Sequence, residues 1–243
     1  YTNGIKILFP INWKPVYLRA LMMTCCMFCF FSASPDLTVA QMAAGLYTYP
    51  LFVSILAITI LKEKIGFWRL SALIIGLLGT FIILEPWSYQ FKYTQILPVL
   101  AGFFYACNII LIRKYCRMEN VMSLTLAVGV IFLLSALMGT IFFEFFYISD
   151  SLVLNMPFIE IGWPNLTFLI FFFAIFCSIL NLLGNLSLAK AYQSAESSFL
   201  APLDYSYLIF ATLWSKIIFD IWPSSLNFLG LFLIAFSGIL IAW

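Results

Sequence analysis

An all-α integral membrane protein is the fold class this sequence predicts. Of its 243 residues 64% are hydrophobic and only 9% are charged, and the mean hydropathy is +1.08. A soluble domain carries about 25% charged residues, so this chain has too little polar surface to face water. The apolar residues also come in runs near the ~20 residues that an α-helix needs to cross a bilayer. Finally, lysine and arginine collect in alternate connections, as the positive-inside bias requires.

Eight spans follow, over 17–34, 40–60, 68–85, 95–113, 122–145, 166–189, 195–216 and 226–243. Soluble helices of this length would need polar outer faces, which these barely have. Pro50 interrupts the second span and Pro202 the seventh, a feature membrane helices tolerate when neighbours meet the freed backbone groups. Gly76 and Gly79 in the third span are a small-residue pair suited to close helix packing. The fourth contains Asn108, and the sixth contains Asn181 and Asn185, which are four apart and share one helix face. The stretch from 147 to 166 is the one long connection, and its Trp, Phe and Ile residues suit the membrane interface.

Placing the start of the chain in the cytoplasm puts Lys6, Lys14, Arg19, Lys62, Lys64, Arg69, Arg113, Lys114, Arg117 and Lys190 on that face. Only Lys92 and Lys216 fall outside. With eight spans both ends are then cytoplasmic. The net charge of +2 and the absence of histidine leave neither a basic nucleic-acid face nor an imidazole metal site. Cys26 and Cys29 form a lone C-x-x-C spacing with no second pair, so the apolar cysteines read as small hydrophobes. No catalytic residue, metal or cofactor is expected, and no feature sets an oligomeric state. Walker, H-E-x-x-H and nucleophile-elbow motifs do not occur.

Two stretches resemble each other, one beginning at Leu37 and the other at Tyr192. Each has an Ala-opened helix, an acidic residue at a short turn and a Gly-containing helix. Aligning Ala40 with Ala195 sets Tyr49 opposite Asp204. An odd number of helices separates equivalent members, so the copies face opposite ways, as in alternating-access transporters. Residues 1–90 then hold three helices of the first copy, and residues 91–243 hold all five of the second. Two helices are expected to be missing ahead of Tyr1.

The segments LKEKIGFWRLSALIIGLLGTFIIL (61–84), PVLAGFFYACNIILIRKY (98–115) and APLDYSYLIFATLWSKIIFD (201–220) resemble the EamA-type branch of the drug/metabolite transporter superfamily. The resemblance implies ten helices in two inverted repeats of five, of which this chain supplies the third to the tenth. Glu63 and Asp220 match the acidic residues after the family's fourth and ninth helices, and Ala201, Pro202 and Tyr205 match the start of the ninth. It also implies a carrier in the bacterial inner membrane, with cargo drawn from amino acids, nucleotide-related compounds, vitamins and drugs.

Asp204 is the leading site candidate, because a carboxylate roughly 13 Å into an apolar helix is costly unless it faces a partner or a substrate path. It could attract a cation or exchange a proton. Tyr205, Tyr207 and Trp214 supply nearby rings, and Tyr47 and Tyr49 supply rings on the repeat-related helix. Asn108, Asn181 and Asn185 could hydrogen-bond cargo or another helix. Pro50 and Pro202 are helix-break candidates, and Glu63, Lys64 and Arg69 are candidates for a cytoplasmic gate or a topology signal. The expected function is secondary transport of a small organic metabolite, with S-adenosylmethionine the first cargo and riboflavin, an amino acid or a drug the alternatives. Protons or a counter-transported metabolite would supply the energy. An integral-membrane enzyme would need several converging carboxylates, and a non-transporting scaffold would show no substrate-dependent flux.

Overall fold

Inside a bilayer no water is available to meet backbone N–H and C=O groups, so a spanning chain must meet them itself. The computed structural model describes residues 8–62, 66–84, 93–145, 165, 167–194, 210, 213–214, 216–218, 220, 222 and 224–242. Among them all regular structure is helical. The helices are α1 (Trp13–Ser32), α2 (Val39–Leu46), α3 (Tyr49–Leu61), α4 (Phe67–Leu84), α5 (Ile96–Tyr115), α6 (Val121–Phe145), α7 (Phe168–Ser194) and α8 (Ser225–Ala242). A 3-10 turn, Tyr93–Gln95, leads into α5. The span expected over 40–60 is divided into α2 and α3 at Tyr47–Thr48, and the one expected over 195–216 lies largely outside the described residues.

Among the described residues, five segments are long and apolar enough to cross a membrane: Trp13–Ser32, Gln41–Leu61, Tyr93–Tyr115, Val121–Phe142 and Phe168–Ala191. Leu70–Ile83 and Ser225–Leu240 are shorter apolar helices. The outer surface fits the same solvent. On α7, Phe168, Phe171, Phe172, Phe173 and Phe176 are all exposed. In water such a patch would drive association, whereas lipid chains solvate it without cost. The chain is an integral membrane protein.

Two compact units divide it, and each draws residues from both sides of position 90. The first comprises Tyr1–Thr24 and Leu111–Ser194, the second Cys25–Ile110 and Ala195–Trp243. In the first unit α6 packs on α7. Arg19 is buried there, and its Nη1 donates to the Leu124 carbonyl at 2.9 Å, which holds α1 against the first turn of α6. The α5–α6 connection follows Arg113 and Lys114, whose charges suit the negative end of α5.

In the second unit α4 packs most extensively on α8. The helices meet backbone to backbone. A methyl group added at Gly79 would lie 2.7 Å from the Gly230 carbonyl oxygen, and one added at Gly230 would lie 2.8 Å from that of Gly79. Hydrophobic packing between membrane helices is weak because lipid is equally apolar, so this closeness supplies the dispersion contacts that hold them. A separate core in the same unit gathers Cys26 and Phe30 of α1 with Ala33, Leu37, Met42 and Ala101.

Gly79→Leu meets the Gly230 carbonyl and the Ile234 backbone as well as the Ile234 side chain, so it should destabilise the protein by about 1–3 kcal/mol. A thermal melt of the purified protein in detergent checks this, with Gly129→Leu as the control because that position opens onto free space.

Candidate functional site

The break between α2 and α3 begins with a well-anchored helix. Thr38 and Gln41 form a reciprocal capping box, in which the Thr38 Oγ1 accepts from the Gln41 N–H at 3.3 Å and the Gln41 Oε1 accepts from the Thr38 N–H at 3.1 Å. The helix cannot continue past Leu46 in the usual way, because Pro50 has no N–H to donate back to the Leu46 carbonyl. The chain tightens instead. The Thr48 N–H and Oγ1 both donate to the Gly45 carbonyl, at 3.2 and 2.7 Å, and the Leu51 N–H donates to the Thr48 carbonyl at 3.0 Å. Gly102 of α5 lies against this turn. A methyl group at Gly102 would come within 2.7 Å of the Leu46 oxygen and 2.8 Å of the Thr48 Oγ1, so only glycine allows this approach.

Three aromatic rings surround the break. Tyr47 and Tyr49, 9% and 4% exposed, have ring centroids 5.8 Å apart. Tyr49 also meets Tyr105 of α5 edge to face at 4.9 Å, a favourable quadrupole arrangement. Three residues further along α5 is Asn108, 1% exposed, whose carboxamide nitrogen and oxygen are both buried and without a hydrogen-bond partner. Leaving such groups unmet costs about 1–3 kcal/mol each. Pro50 stands in the first turn of α3, just beyond the break, and is buried.

The first unit contains a second polar locus. A groove of about 440 Å³ runs between α6 and α7, lined by Thr125, Gly129, Phe132, Ser178, Asn181 and Asn185 among others. Its polar groups have partners within their own helices. The Asn185 Nδ2 donates to the Asn181 Oδ1 at 2.7 Å, and the hydroxyls of Thr125 and Ser178 donate to the carbonyls four residues back in their own helices. A ligand entering there would meet groups that already hold partners or lie open to the surroundings, whereas one reaching Asn108 would meet a buried donor and acceptor that have none. The break, with α5 beside it, is therefore the stronger candidate site.

Asp204, Pro202, Tyr205 and Tyr207 lie outside the described residues, as do Glu63 and Lys64. Trp214 is 56% exposed. Arg69 is in the first turn of α4. Lys62 ends α3 in the left-handed conformation, with φ of 57°, just before the candidate gate.

Three contributors lie outside the sequence-based expectations. Tyr105 was lost among many aromatic residues, and Gly102 gave no sign of the close approach it permits. The third is Glu119, 5% exposed, whose carboxylate accepts from the backbone N–H groups of Ile11 at 2.9 Å and Asn12 at 2.7 Å. The Gln193 Nε2 donates to the Glu119 carbonyl at 2.8 Å and to that of Cys116 at 3.3 Å. This knot ties the start of α1, the α5–α6 turn and the end of α7 together within the first unit. A lone acid in the basic stretch RKYCRMEN was its available signal. Burial pushes the Cys116 thiol up to about 11; Arg19 acts against that rise and Glu119 adds to it.

Comparison with known proteins gives these residues a context. Residues 3–85 match the EamA-like transporter family. The riboflavin transporter of Vibrio cholerae is 31% identical over 81% of this chain and 60% of its own length. The S-adenosylmethionine uptake transporter of Rickettsia prowazekii is 23% identical over 73% of this chain and 54% of its own. The chain thus spans just over half the length of these two relatives. A solved crystal structure shares the fold at a TM-score of 0.63 and 16% identity, covering 98% of this chain and 78% of that one.

The knot makes two testable demands. Glu119→Gln loses a charged acceptor of two backbone N–H groups and should lower thermal stability by about 1–3 kcal/mol. In a variant retaining only Cys116, about one thiol in a thousand is ionised at pH 8. Iodoacetamide should therefore label the native protein far more slowly than the unfolded one, and adding Glu119→Gln should speed that labelling.

Proposed function

On the premise of an EamA-like transporter family domain in this chain, we propose that it is a secondary transporter of a small planar metabolite, with riboflavin the first cargo. The observation that carries this reading is the broken α2–α3 helix, where Tyr47, Tyr49 and Tyr105 adjoin a buried, unmet amide. Broken helices beside cargo are how inverted-repeat transporters expose polar groups at membrane depth without facing lipid. Rings packed edge to face supply apolar walls for a planar molecule. The riboflavin-transporting relative adds weight to that cargo over S-adenosylmethionine.

In this reading the chain sits in a bacterial inner membrane with both ends cytoplasmic, and the repeat-related bundles, divided near residue 90, rock about the site. Asp204 acts as the central acid, paired by repeat alignment with Tyr49, and carries the coupling proton or holds a cationic counter-substrate. Pro202 loosens its helix, and Tyr205, Tyr207 and Trp214 complete the aromatic lining. Glu63, Lys64 and Arg69 steady the cytoplasmic ends. S-adenosylmethionine is the second reading, favoured by its transporting relative and by the attraction of a carboxylate for a sulfonium.

Uptake of labelled riboflavin and S-adenosylmethionine into proteoliposomes containing the full-length protein tests the proposal. Saturable riboflavin uptake is expected, reduced at least about tenfold by Asp204→Asn. Uptake of neither compound by correctly inserted protein would sink the planar-cargo reading, and undiminished uptake by Asp204→Asn would remove that residue from the mechanism.

A further inference from the structure

Polar side chains within the spans generally satisfy themselves locally. Thr24 donates to the Ala20 carbonyl, Thr80 to that of Gly76, Ser237 to that of Ile234, and Asn185 to Asn181. Asn108 does not. Among the described residues it alone has two polar atoms of one side chain, a donor nitrogen and an acceptor oxygen, both buried and unmet. A carboxamide presents N–H and C=O side by side in one plane, so it can pair at once with an adjacent acceptor and donor on another planar group. In a dry interior an amide held this way is destabilising until such a partner arrives. Its place on α5 is one turn from Tyr105, whose ring packs on Tyr49 beside the helix break.

We propose that Asn108 determines cargo specificity by pairing with the donor–acceptor edge of a planar heterocycle. The inference rests on the transporter reading above and specifies how that site recognises its substrate. Two ring edges carry the required pattern. The imide of a flavin offers N–H beside C=O, and an aminopurine offers an exocyclic N–H beside a ring nitrogen, the edge that asparagine reads on adenine. A neutral carboxamide adds no charge, so it selects by hydrogen-bond pattern and leaves ionic attraction to other groups.

The test measures binding to purified full-length protein in lipid nanodiscs. Riboflavin is compared with its N3-methyl derivative, and S-adenosylmethionine with its N6,N6-dimethyl analogue, since methylation removes the N–H donor and leaves the ring. Wild-type protein should prefer the unmethylated member of one pair by at least about tenfold, and that pair identifies the edge recognised. Asn108→Leu should bind both members at the methylated level. Ligand-free Asn108→Leu should also melt at or above the wild-type temperature, because an unmet amide gives way to an apolar group of similar size. A lower melting temperature with the preference intact would assign Asn108 to structure and overturn the inference. Equal wild-type affinity within both pairs would reject edge recognition while leaving a heterocycle carrier. Wild-type protein that binds none of the four compounds would reject the heterocycle cargo together with the role of Asn108.

Discussion

The absence of water at membrane depth governs this structure more than any attraction does. Each polar group in a span must find its partner within the protein, and the chain meets that demand in three ways. Most groups are met by the helix itself, including the hydroxyls that donate one turn back. Others are met by a neighbouring side chain, as in the Asn181–Asn185 pair. Others are left open, among them both polar atoms of the Asn108 carboxamide on α5, Thr94 and Gln95 just ahead of that helix, and the Asn227 oxygen in the first turn of α8.

The break joins local chemistry to tertiary packing. Proline removes one donor, Thr48 and the tightened turn recover part of the loss, and Gly102 lets α5 come close enough to cover the rest. A larger residue on α5 would hold the two helices apart and open the turn to lipid. Helix packing in the second unit rests on the same economy of size, because Gly79 and Gly230 bring each other's backbone carbonyl within reach, with Ile83 and Ile234 filling the space beside them. Small residues thus set distances, and the aromatic side chains occupy the space left between.

How much of this was legible in the sequence depended on the range of the interaction. Helical spans show in runs of apolar residues, and α1, α4, α5, α6, α7 and α8 begin within four residues of where those runs place them. The pairing of Asn181 with Asn185 follows from their spacing of four on one helix. Pro50 was legible as an interruption, but its effect is felt at Tyr47–Thr48, because the missing N–H belongs to a bond that reaches four residues back. Contacts between distant segments left no such trace. Neither the meeting of Tyr49 with Tyr105 nor the fit of Gly102 has a period or a motif, and Asn108 looked like any other amide until burial removed its partners. The seventh span, with Asp204, rests on its sequence alone.

The Glu119 knot has a consequence in time. Asn12 and Glu119 are separated by 107 residues along the chain. A ribosome adding about 5–20 residues per second needs on the order of 5–20 s to make that stretch. Throughout this interval the backbone amides of Ile11 and Asn12 are waiting for a carboxylate not yet synthesised, and α1 through α5 enter the bilayer first. Closure of the knot therefore waits until about the middle of the given chain has been made, and it requires the α5–α6 turn to emerge on the same side of the membrane as Ile11 and Asn12.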